Sequence, residues 1–145
     1  MAYTFKSPES DQEWQDYYEL RWRILREPWQ QPRGSERDEH ECDAFHVMVL
    51  DDMQRTVATG RLHRIDDSRA QIRYMAVTPG KQGSGIGSKV LQILEETAKA
   101  MGFQEIILNA RETSLGFYRR YGYQILADAP VLFGSIAHKR MRKSL

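Results

Sequence analysis

The sequence predicts one mixed α/β domain over residues 1–145. Three observations lead there. A helical period near the N-terminus gives way to three strand-like runs joined by short turns. The period then switches back to helical from about residue 85. The remaining segments read as a strand, a short helix and two more strands. The expected architecture is a single-domain mixed sheet of about six or seven strands flanked by helices. At 145 residues the chain is the size of one ordinary domain, long enough to bury well over half of its unfolded surface.

Each element has a local reason. Ser10 and Glu13 stand at capping-box spacing, and Trp14, Tyr17, Tyr18, Arg21, Ile24 and Leu25 follow at helical intervals, which predicts a helix over 11–26. Residues 27–43 break the pattern with Pro28, Pro32, Gly34 and an acid-rich run. A 17-residue connection of this kind is usually functional, carries a short helix, or is disordered. Ala44–Leu50, Thr56–Ile65 and Ala70–Thr78 read as an antiparallel meander, with Asp51-Asp52, Asp66-Asp67-Ser68 and Pro79-Gly80 as the turns. Val90, Leu91, Leu94, Ala98 and Met101 mark a helix over about 85–101, stopped by Gly102. Glu105–Asn109 is a short apolar strand and should pair in parallel with the strand before the helix. Ser114–Tyr121 reads as a short helix capped by Ser114 and stopped by Gly122. Tyr123–Leu126 and Ile136–Met141 supply the last strands.

Composition narrows the function. Twenty-one basic and 20 acidic residues give a net charge of +1, which offers no bulk attraction to nucleic acid or to an anionic membrane. Neither is expected as a partner. Residues 1–14 are polar and acidic, unlike a secretory signal, and no stretch approaches the ~20 apolar residues of a membrane span. Cys42 is the only cysteine, which excludes an internal disulfide and a zinc site built on two or more thiolates. No metal is expected, and a cytoplasmic location fits.

Gln82-Gly83-Ser84-Gly85-Ile86-Gly87-Ser88 lies between a predicted strand and a predicted helix. Glycines there let the backbone approach a ligand, and the unpaired N–H groups of the first helical turn make an anion site. The bland alternative is a flexible helix entry. Three phosphate patterns compete. A P-loop fails because Ile86 follows Gly80 and Gly85 where lysine is required. A dinucleotide fingerprint fails because Ser88 occupies the place of the third small residue, and no acidic residue closes the next strand. The pattern Gln/Arg-x-x-Gly-x-Gly/Ala is met in full by Gln82, Gly85 and Gly87.

This segment resembles the pyrophosphate loop of the GNAT family of N-acetyltransferases. Phe117-Tyr118-Arg119-Arg120-Tyr121-Gly122-Tyr123 resembles the family's second signature, and Tyr74–Pro79 resembles the strand end before the loop. Order and spacing match over about 44–126, with a weaker likeness in the first helix and at Ile136–Met141. The resemblance implies the acyl-CoA N-acyltransferase fold and acetyl-CoA as co-substrate. It implies transfer of the acetyl group to a primary amine of a small molecule or peptide.

The resemblance also assigns positions. Gln82, Gly83, Ser84, Gly85, Ile86, Gly87 and Ser88 would hold the diphosphate. Backbone groups of Met75, Ala76 and Val77 would pair with the amides of the pantetheine arm, as an added strand does. The Val77 N–H matches the family's oxyanion donor. Asn109 serves either to hydrogen-bond the arm or to cap the strand-to-helix turn. Tyr118 matches the general acid that protonates the leaving thiolate. A phenol with a free pKa of about 10 is protonated at neutral pH. The alternative is that Tyr118 only packs, as Phe117, beside the cofactor, and Tyr121 are expected to do.

The base is not legible. Many family members carry a glutamate on the third strand, where this chain has Gln71-Ile72-Arg73-Tyr74-Met75 and no carboxylate. His138, His63, Glu41, Glu112 and Asp43 are the candidates. A histidine titrates near neutrality, and His138 lies in the acceptor-side segment, although a solvated strand-end histidine is the simpler reading. The 27–43 loop, with Glu36, Asp38, Glu39, Glu41 and Asp43, is either an acidic rim that attracts a cationic amine or a solvated surface paired with Arg33 and Arg37. Trp22 and Trp29 are candidates to line the acceptor pocket. Exposed strand edges near the C-terminus make a homodimer a further expectation. Two other functions are consistent with parts of the sequence: a non-catalytic acyl-CoA-binding module, and an NAD(P)-dependent oxidoreductase that reads Gly83 and Gly85 as a dinucleotide turn.

Overall fold

The computed structural model describes residues 2–145. The elements run β1 (Thr4–Lys6), α1 (Asp11–Leu25), β2 (Phe45–Leu50), β3 (Thr56–Arg64), β4 (Arg69–Val77) and α2 (Ile86–Ala100). They continue with β5 (Glu105–Arg111), α3 (Leu115–Arg120), β6 (Gln124–Leu132) and β7 (Ile136–Ser144). One seven-stranded sheet has the order β1-β2-β3-β4-β5-β7-β6. β4 and β5 are parallel, and every other neighbouring pair is antiparallel. The mixed sheet is the predicted class.

α1 begins on the predicted capping box, in which the Ser10 hydroxyl accepts from Glu13 N and the Glu13 carboxylate accepts from Ser10 N. α2 buries Ile86, Val90, Leu91, Leu94 and Ala98 on one stripe. That stripe meets Val47, Val49, Leu62, Ile72, Ile106 and Leu108 of the sheet in the main core. α1 covers the opposite face over a smaller cluster of Tyr17, Met48 and Leu50.

Some expectations needed correcting. β1 was not anticipated, since three residues are too few to show a period. The Ser114 side chain makes no capping bond, and a 3₁₀ turn over Glu112–Ser114 leads into α3 instead. β5 continues to Arg111, so Asn109 lies within the strand and caps nothing. β6 and β7 run past their expected ends because each is long enough to pair the other.

Two irregularities shape the site. Thr59 pairs Ala76 and Arg61 pairs Arg73, so Gly60 alone faces both Tyr74 and Met75. This β-bulge is built at Tyr74, whose φ of +59° lies in the left-handed region, and the Thr59 hydroxyl donates to Tyr74 O at 2.9 Å. Before the bulge Ala70 and Ile72 face the main core. After it Met75 and Val77 do, while Arg73 and Tyr74 both turn to the α1 side. The second irregularity is a split. β4 and β5 pair only at Arg69–Gln71 with Glu105–Ile107, so beyond those residues the two strands diverge.

Gly60 is required by packing. A Cβ there would lie 2.6 Å from Val90 Cγ1 and 2.9 Å from Met75 Sδ. Gly60→Ala is expected to cost about 1–3 kcal/mol by overpacking, read as a lower midpoint of urea unfolding.

Candidate active site

The site is assembled where β4 and β5 part. Thr78 N donates to Val57 O of β3 at 2.8 Å. Successive N–H groups of a strand point to opposite edges, so the Val77 N–H points away from β3, into the split. The Val77 carbonyl, on the same edge, accepts from Gln82 Nε2 at 3.2 Å. Gln82 therefore ties the glycine turn to the end of β4.

The turn itself presents bare backbone. Gly83 and Gly85 have φ of +79° and +87°, which L side chains rarely adopt. Gly85 is the N-cap of α2 and supplies no capping side chain. The N–H groups of Ile86, Gly87 and Ser88 precede the first i→i−4 bond, Lys89 N to Gly85 O, so they are free for an anion beside the helix dipole. A Cβ on Gly87 would stand 3.6 Å from Val77 Cγ2 and 3.7 Å from Phe117 Cζ, so this turn abuts both the β4 end and α3. Ser88 Oγ and Tyr121 Oη lie 2.5 Å apart. A cavity of about 300 Å³ continues outward past Gly85, Ser88, Lys89 and Gln92. Free N–H groups followed by an unpaired strand edge suit a ligand that carries phosphates and amides.

α3 brings Tyr118 to the same place. Its ring packs edge-on against Phe117 and Tyr123, at 5.0 and 5.7 Å between centroids. Among the described residues its hydroxyl has no hydrogen-bond partner. Burial raises the phenol pKa far above its usual value, and the charge of Arg111 opposes the shift. Asn109 is exposed on β5.

Beyond Tyr118 the walls are aromatic and cationic. Arg111 Cζ lies 4.6 Å from the centre of the Trp29 ring, and Trp29 stacks on Phe133 of the β6–β7 turn at 6.3 Å. Arg26 Cζ sits 5.3 Å from the Phe133 ring and 5.6 Å from the Tyr74 ring, and Arg73 Cζ is 4.7 Å from Tyr74. His138 pairs with Arg111 across β5–β7. Its Nδ1 lies 3.0 Å from Ile136 O and serves as donor there, which leaves Nε2 as the acceptor. Its pKa is lowered by burial, against the Ile136 hydrogen bond, and further by Arg111, Arg26 and Arg73. His138 is therefore neutral at pH 7.

The acidic loop does not form an open rim. Glu41 accepts from Arg21 at 2.8 Å through both oxygens and from Arg61 at 2.8 Å. Asp38 accepts from Arg61 at 2.6 and 2.9 Å and from Arg73 at 2.9 Å. The partners are thus mainly Arg21, Arg61 and Arg73, with Arg37 on Glu36 and Arg33 turned to Glu19. Arg21 and Arg61 are fully buried. This removes Glu41 from the candidate bases. His63 lies against Arg61 and stacks on His40 at 4.2 Å, and burial with the Arg61 charge brings its pKa down to about 4. Glu112 and Asp43 are exposed. Trp22 faces away, donating to Gln31 O beside an outer cavity of about 560 Å³ between α1 and residues 33–37.

The sequence model of the GNAT acetyltransferase family matches residues 14–123. The chain belongs to the GNAT family. It is similar to the uncharacterized N-acetyltransferase YjcF of Bacillus subtilis (strain 168), at 27% identity over 134 residues, 92% of this chain and 94% of that one. The same fold occurs in an acyl-CoA N-acyltransferase from Pseudomonas aeruginosa, with a TM-score of 0.82, 20% identity and 98% of both chains covered. It occurs also in a GNAT family acetyltransferase from Elizabethkingia anophelis with acetyl-CoA bound, with a TM-score of 0.76, 15% identity, and 99% of this chain and 98% of that one covered. In this GNAT acetyltransferase the predicted loop, strand end and Tyr118 converge. Arg26, Arg111 and Phe133, which meet through Trp29 and Tyr74, were not singled out from sequence. Arg111 alone had a signal, as a lone basic residue ending an apolar strand.

Proposed function

We propose that this GNAT acetyltransferase transfers the acetyl group of acetyl-CoA to a primary amine, with Tyr118 as general acid and the Val77 N–H in the oxyanion site. The observation that carries this reading is the unpartnered hydroxyl of the largely buried Tyr118, on the helix whose Phe117 ring meets Gly87 next to Val77, together with a Val77 N–H that points away from β3. The residues of Gln82–Ser88 fit the diphosphate, and the edge left open at Met75 and at the Val77 N–H fits the amides of the arm, whereas Ala76 faces β3 and the Val77 carbonyl is taken by Gln82. Bound there, acetyl-CoA supplies an activated acyl group. The amine nitrogen forms the new bond to the acyl carbon and loses a proton. The Val77 N–H donates to the oxygen that gains charge. The carbon–sulfur bond breaks, and Tyr118 gives its proton to the departing sulfur. The proton lost by nitrogen restores the phenol.

His138 Nε2, left as an acceptor because Nδ1 is committed to Ile136 O, is the group we assign to take the amine proton first, before it passes on to restore the phenol. Thiol release from acetyl-CoA with a panel of amines tests the reading, and cofactor binding without turnover on any amine would contradict it. The β6 edge, with Ile125, Leu126 and Val131 exposed, is the surface we assign to a second copy in a homodimer. A monomeric mass by sedimentation at assay concentration would remove that assignment.

A further inference from the structure

The acceptor side of the site holds more positive charge than it neutralises. Arg21, Arg61 and Arg73 share Asp38 and Glu41. Arg26 is buried, and its partners among the described residues are neutral: the carbonyls of Leu25 and Ser35, Tyr74 and the Phe133 ring. Arg111 is half-buried, and among the described residues it meets the face of Trp29 and the field of Tyr118. Among the described residues neither Arg26 nor Arg111 has a carboxylate at ion-pair distance. A guanidinium that has lost water without gaining an anion is a costly arrangement, and a ligand oxyanion would relieve it.

The geometry points to an acceptor that carries an oxyanion, a carboxylate or a phosphate, beside its amine, held by Arg111 with Arg26 and Arg73 against the Trp29–Phe133 wall. This rests on the acetyl-transfer reading above. It is the opposite of the cation-attracting alternative for the 27–43 loop. It also bears on the absent glutamate of β4. An ammonium among guanidiniums loses its proton more readily than one in water, so the cluster favours the neutral, nucleophilic amine. The oxyanion of the same molecule supplies the attraction that a bare cation would lack. Trp29 and Phe133 leave an apolar flank for a side chain between the two charges.

The test uses amines paired by the presence or absence of the anion and compared at equal concentrations of the neutral amine: L-phenylalanine with L-phenylalaninamide, glycine with glycinamide, and O-phosphoethanolamine with ethanolamine. The anionic member should be preferred by ~10-fold or more in kcat/KM, the range of one charge-assisted contact, and by less at high salt. The amino-acid and phosphate pairs separate carboxylate from phosphate recognition. Arg111→Gln should abolish most of the preference through the acceptor KM, with the KM for acetyl-CoA unchanged, and Arg111→Lys should restore part of it. Calorimetric titration of the CoA-loaded wild-type protein with N-acetyl-L-phenylalanine and its amide reads the same preference without turnover or variants. Failure of catalysis and failure of anion recognition are therefore separate results. Equal rates and equal binding within pairs, or a preference for the cationic members, would overturn the proposal.

Discussion

Tyr118→Phe is expected to lower kcat by about ten-fold or more, at or above the low end of what a missing acid costs, while the KM for acetyl-CoA changes less than two-fold. The substitution isolates one atom. Phenylalanine keeps the ring that packs on Phe117 and Tyr123. Because the hydroxyl has no partner among the described residues, its removal leaves no buried group unsatisfied. Thermal unfolding should therefore be nearly unchanged, and the lost rate can be read as lost chemistry. The pH profile adds a second check. Burial raises the Tyr118 pKa, against the pull of Arg111, so the phenol stays protonated through pH 10. Any fall in kcat between pH 7 and 10 then belongs to another group, and Tyr118→Phe should leave its position unmoved. Unchanged turnover in the variant would take Tyr118 out of the reaction.

The side proposed for the cofactor was legible as a structural unit because it is local. The glycine turn, the strand before it and the helix after it are contiguous from Tyr74 to Ala100, and turn chemistry and periodicity are properties of neighbouring residues. Tyr118 was legible through its motif, though nothing local says that α3 brings it to the β4–β5 split. The acceptor side was not legible because its members come from the whole chain: Arg26 and Trp29 after α1, Arg73 on β4, Arg111 on β5, Phe133 and His138 near β7. The exchange of β6 and β7 in the sheet order places His138 beside Arg111, and no periodicity encodes that exchange. The β4 bulge was equally hidden. One extra residue at Tyr74 turns Arg73 and Tyr74 to the same face, where alternation would oppose them. The charges of residues 36–43 were visible but their direction was not. An acid-rich loop reads as solvated unless the buried arginines that meet it, Arg21 and Arg61, are placed first.

Glu41→Gln should be the most damaging single change to stability. Its carboxylate is 11% exposed and joins Arg21 and Arg61, both at 0%. Removing one partner of such a network leaves buried charge uncompensated, at about 3–5 kcal/mol, measured as a lower midpoint of urea unfolding at pH 7. The pH dependence follows from signs. Glu41 and Asp38 are desolvated, which alone would raise their pKa values, but hydrogen bonds and charge from Arg21 and Arg61 prevail and depress both. Their contribution is present above the unfolded carboxylate range, about pH 4, and is lost as pH falls through the folded values. His63, brought down to about 4 by burial and Arg61, binds its proton more readily when unfolded, so stability also declines as pH falls from about 6.5 toward 4. Wild type should thus weaken in two stages on acidification, and Glu41→Gln should flatten the lower one. The functional signature should be opposite to that of Tyr118→Phe. Glu41 anchors the segment that follows Trp29, and Arg61 and Arg73 share Asp38 beside it. Loosening this network should raise the acceptor KM several-fold and leave the acetyl-CoA KM alone. A parallel rise in both constants would mean that the loop supports the whole split rather than its acceptor wall.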